Sequence, residues 1–183
     1  MMASRFVTAA AEAYRAFGTK RDARPLDYSL VTWNEAIPAV ALLLVAQAVM
    51  LAGSAGGMLA EALPFLVDIG LITLLAFAVP FAVVVAWAVL SKQPERAPLL
   101  VTFVAIVLLT VQVVSLALSV FGMQTSTALV AVTALFVGRA IRTVLGASIP
   151  MAILAGVIVG VGTAAAGLLI LVLPTGQAML DAA

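Results

Sequence analysis

Five apolar runs, each of twenty residues or more, fill the chain from residue 36 to residue 173. Crossing ~30 Å of hydrocarbon at a rise of ~1.5 Å per residue takes about 20 apolar residues. The runs lie at 36–58, 65–90, 99–121, 125–145 and 149–173. The breaks between them have chemical causes. GSAGG at 53–57, followed by Pro64, marks the first turn. SKQPERAP at 91–98 carries two prolines and three charges, which do not belong in lipid. GMQTST at 122–127 is polar, and GASIP at 146–150 ends one helix and starts the next, with Ser148 placed to cap it. None of these connections is long enough to hold a folded domain. The runs are continuously apolar rather than alternating, which predicts helices and not a transmembrane β-barrel. The expected fold is therefore all-α: a polytopic membrane protein of five transmembrane helices, preceded by a short amphipathic helix.

Composition narrows the function as well. The chain is 65% hydrophobic and 9% charged, against about 45–50% and about 25% in soluble domains. It has neither cysteine nor histidine. Disulfides, thiolate nucleophiles, iron–sulfur ligation, Cys/His zinc sites and serine nucleophiles that use His as base are thereby excluded. A net charge of +1 gives no footprint for nucleic acid. Neither a cofactor nor a metal is expected, and no motif names a reaction.

Outside the runs lie an N-terminal segment, 1–35, and a short tail, 174–183, expected to be extracytoplasmic. In the former, Phe6, Ala10, Ala13, Tyr14 and Phe17 fall on one helical face, and Ser4, Arg5, Thr8, Glu12 and Arg15 on the other. Such a helix lies in a membrane interface or packs on the protein's own cytoplasmic face. At the entry to the first run, Thr32 to Glu35 reads as a capping box. Trp33 beside it and Trp87 near the end of the second run suit headgroup-level anchors.

Charge fixes the orientation. The nine basic residues are Arg5, Arg15, Lys20, Arg21, Arg24, Lys92, Arg96, Arg139 and Arg142. With five spans and a cytoplasmic N-terminus, every one falls on the cytoplasmic side, as the positive-inside rule asks. An even number of spans breaks the pattern. The expected location is the inner (cytoplasmic) membrane, with the C-terminus on the far side.

Several positions are candidates for function. Lys20, Arg21, Arg24, Arg139 and Arg142 suit anionic lipid headgroups or an acidic partner, and they also set topology. Asp68, with Glu61 on the same side, is the candidate ion or proton site; Asp68 also sits near a helix N-terminus, where a carboxylate is structurally favoured. Pro80 falls mid-span and predicts a kink. Gln47 and Gln112 are polar groups at depth, which usually bond between helices. Gly156, Gly160, Thr163 and Gly167 recur at four, three and four residues, a smooth helix side for packing within the monomer, self-association or docking to a larger membrane complex.

The layout resembles the Yip1-domain family. The likeness rests on the cytoplasmic N-terminal segment, five closely spaced spans, a far-side C-terminus and the stretch GRAIRTVLGASIPMAILAGVIVG at 138–160. The DLYGP-type signature of eukaryotic members is absent, so the likeness does not extend to a small-GTPase partner. It implies a non-enzymatic membrane organiser or accessory subunit. The expected function is binding of lipids or partner membrane proteins. The rival expectation is a small transporter or channel subunit that uses the Pro80 helix and Asp68.

Overall fold

A computed structural model describes residues 7, 8, 11, 31–54, 59–119 and 126–172. Over these the chain is all-α, with five helices: α1 (Trp33–Ser54), α2 (Leu59–Leu90), α3 (Ala97–Ser119), α4 (Ser126–Leu145) and α5 (Ile149–Val172). A short 3-10 turn, Pro94–Arg96, leads into α3. Of the expected amphipathic helix, only Val7, Thr8 and Ala11 are among the described residues. They are helical and exposed.

Each helix start follows from local chemistry. Thr32 caps α1: its N–H donates to Glu35 Oε2 at 2.9 Å and its hydroxyl accepts the Asn34 N–H at 3.3 Å. The hydroxyl also donates to the same carboxylate oxygen. This is the reciprocal satisfaction of orphan donors that a capping box provides. At α5 the Ser148 carbonyl accepts the first helical bond, from the Ala152 N–H at 2.9 Å. Prolines cluster near helix starts: Pro38 is the sixth residue of α1, Pro64 the sixth of α2, Pro98 the second of α3 and Pro150 the second of α5. At Pro98 and Pro150 the missing N–H is one of the four that have no partner inside a helix, whereas at Pro38 and Pro64 it removes one helical bond. Helix α2 begins five residues before Pro64 instead of after it, earlier than the sequence spacing implies.

Helix ends are equally specific. Gly146, just past α4, takes φ +66°, the left-handed conformation of a glycine stop. The end of α2 uses the same device without glycine. The Gln93 N–H donates to the Ala88 carbonyl at 2.9 Å and the Lys92 N–H to the Val89 carbonyl at 3.0 Å. This is a Schellman motif, and Lys92 occupies its left-handed position at φ +57°.

Helix α3 lies at the centre, against α1, α2 and α4, while α5 packs on α4 and α2. The first half of α3, Ala97 to Leu108, is buried almost all round, while Val113 and Val114 nearer its end are exposed. Leu99, Leu100, Phe103, Val104 and Val107 are buried, joined by Leu43 from α1, Val84 from α2, Val137 and Ile141 from α4 and Val159 from α5. Gln112 Nε2 donates to Gln47 Oε1 across the α1–α3 contact. Gln47 is the fifteenth residue of α1 and Gln112 the sixteenth of α3, so the two helices start at the same level. The reverse direction would carry Val31 past the end of α3, yet Val31 is buried in the shared core.

Among the described residues two stretches are long and apolar enough to cross a membrane, Pro94–Ser115 and Ile149–Ala166. Trp33–Gln47 and Leu74–Leu90 are shorter apolar stretches. The first of the long stretches is 61% buried inside the bundle and the second only 28%. Helix α5 thus turns most of its apolar surface outward.

Candidate functional site

The described charged side chains gather at one end of the bundle. Arg96 Nη1 donates to the Val144 carbonyl at 2.6 Å, which brings the start of α3 against the end of α4. Lys92 and Glu95 belong to the same α2–α3 connection, and Arg142 lies in the last turn of α4 with Arg139 one turn before it. Glu35 stands in the first turn of α1, level with the start of α3. A cation near a helix C-terminus meets the negative end of the helix dipole. Arg96 does this for α4 and satisfies one of its four orphan carbonyls. Sequence order conceals the pairing, because 48 residues separate the partners.

Helices α4 and α5 form an antiparallel pair joined by residues 146–148. Glycine permits their close approach. A Cβ on Gly138 would lie 2.6 Å from the Ala152 carbonyl oxygen, and one on Gly156 would lie 2.9 Å from that of Ala134. Backbone cannot yield as a side chain can, so both positions require glycine. At Gly160 an added Cβ would reach the Ala134 Cβ at 3.4 Å, an ordinary contact. Gly162 faces α2, where a Cβ would meet Val79 Cγ1 at 2.7 Å.

The small residues at this crossing leave a groove of about 680 Å³ along the outer side of the pair. Gly138, Gly156 and Gly160 line its floor, and Leu135, Ile153, Val157 and Val161 its walls. Arg139 and Arg142 line it at the charged end of the bundle. Both arginines are exposed, and among the described residues neither guanidinium is paired with a carboxylate.

The other sequence candidates are placed as follows. Lys20, Arg21 and Arg24 lie outside the described residues. Glu61 and Asp68 are in α2, with side chains outside the described set. Pro80 is buried within α2, which runs through it without a break in the helix. Trp33 is exposed at the first position of α1, while Trp87 is half-buried and packs on the core. Gly156 and Gly160 face α4 within the same chain. Thr163 is half-buried, and its hydroxyl oxygen has no hydrogen-bond partner among the described residues. Gly167 is in α5, with surroundings outside the described set. Sequence reading missed Gly138, Gly162 and the role of Arg96. Gly138 carried a signal, since an isolated glycine inside an apolar helix usually has a packing reason.

No known family model, curated protein or solved structure matches the chain.

Proposed function

We propose that this chain is a multi-pass inner-membrane protein that crosses the bilayer five times and acts by binding lipids or partner membrane proteins, without catalysis of its own. The observation that carries the reading is the division of the outer surface. Large aliphatic side chains stand exposed along the bundle, among them Leu42, Val45, Leu135, Ile153, Val157 and Val161. The described charges keep to one end. Water does not tolerate so extensive an apolar exterior on a monomer, whereas lipid favours it. All five helices have at least 20 residues, enough to span ~30 Å. The Yip1-like role as organiser or accessory subunit belongs to this proposal and rests on layout.

Alkaline carbonate extraction followed by purification in mild detergent tests the reading. The chain is expected to stay in the membrane pellet and to co-purify with lipid or a stoichiometric membrane partner. Release into the supernatant would overturn it. So would solute uptake into proteoliposomes that is abolished by Asp68→Asn, which would make the chain a transporter.

A further inference from the structure

We infer that the α4–α5 groove is a binding site for one anionic phospholipid, with its phosphate on Arg139 and Arg142 and an acyl chain laid along the glycine floor. The inference rests on the membrane reading above and names the ligand of one particular surface. Three observations converge on it. The first is length. The groove runs from Val130 to Arg142 on α4 and from Ile149 to Val161 on α5, about 18 Å at the helical rise. One leaflet of hydrocarbon is ~15 Å deep, half of the ~30 Å core, so the groove accommodates a chain from the headgroup level to the bilayer middle.

The second observation is polarity. The groove is apolar along its length and cationic at one end, the same division that a phospholipid has. Guanidinium groups present forked donors to phosphate oxygens. Arg139 and Arg142 are three residues apart and so share one helix face. The third is the exclusion of rivals by charge. A second copy with the same orientation in the membrane would bring its own arginines level with these. The chain's N-terminal segment carries Arg5, Arg15, Lys20, Arg21 and Arg24 against Glu12, Asp22, Asp27 and Glu35, and it too would bring net positive charge. An anionic lipid from the surrounding leaflet supplies the opposite sign.

Native mass spectrometry of the full chain in detergent, titrated with dioleoyl phosphatidylglycerol or dioleoyl phosphatidylcholine, tests this. The wild type is expected to retain phosphatidylglycerol roughly 10–30-fold better, as two basic contacts near a headgroup predict. R139Q/R142Q should erase that preference. A131F, at an exposed lining position, should reduce retention of both lipids, and K92Q, outside the groove, should change neither. Equal retention of the two lipids by the wild type would overturn the site, as would an undiminished preference in R139Q/R142Q, or a dimer that excludes lipid. Both arginines are exposed, so their replacement does not threaten folding and decides the matter even if A131F is unstable. Carbonate extraction of the same preparations separates the levels: a chain that stays in the membrane but shows no arginine-dependent preference defeats only this inference.

Discussion

Arg96 donates a hydrogen bond from Nη1 to the carbonyl oxygen of Val144 at 2.6 Å and so ties the start of α3 to the end of α4. The donor is charged and the acceptor is one of the last four carbonyls of α4, the combination that makes such bonds strong. Arg96→Ala is expected to lower unfolding stability by about 1.5–3 kcal/mol. Thermal unfolding in detergent, followed by circular dichroism, checks it; an unchanged midpoint would show that the bond contributes nothing.

The two glycines at the α4–α5 crossing differ in kind from their neighbours. Gly138→Ala and Gly156→Ala each drive a methyl into a carbonyl of the opposite helix and should cost about 1–3 kcal/mol. Gly160→Ala meets only a methyl at contact distance and should be close to neutral. The same unfolding assay ranks the three, and a Gly160 variant as damaged as the others would contradict the packing described.

At the α2 terminus a lysine holds a left-handed conformation that glycine adopts without strain. Lys92→Gly should therefore stabilise the chain by about 1 kcal/mol. A lower midpoint for the variant would mean that the Lys92 side chain contributes more than its backbone strain costs.

These cases show what the sequence made legible. Helix number and approximate extent could be read from the apolar runs, because polar and Pro/Gly breaks bound every one of them. The Thr32–Glu35 cap and the Gly146 stop were legible because their motifs are local. The early start of α2 was not, since Pro64 reads as a boundary while the helix tolerates it within its first two turns. Nor was the Schellman turn at Lys92, which lacks the glycine that normally marks it. The groove escaped for a different reason. It needs Gly138 and Gly156 from two helices to face each other, and periodicity along one helix carries no information about which partner it meets.

Gln47 and Gln112 join α1 to α3, and Gln112 Oε1 is buried without a partner among the described residues. Gln47→Leu or Gln112→Leu alone leaves one amide unpaired and should destabilise by roughly 1 kcal/mol. The double variant removes both polar groups and should lie near the wild type. A double-mutant cycle measures the coupling; purely additive losses would show that the pair does not interact.

The central claim is that the chain threads the membrane an odd number of times with its cations on one side. Topology reporters fused after Gln93, within the α2–α3 connection, and at the C-terminus address it directly. The account predicts a cytoplasmic signal from the Gln93 fusion and an extracytoplasmic signal from the C-terminal one. Both reporters on the same side of the membrane would contradict it.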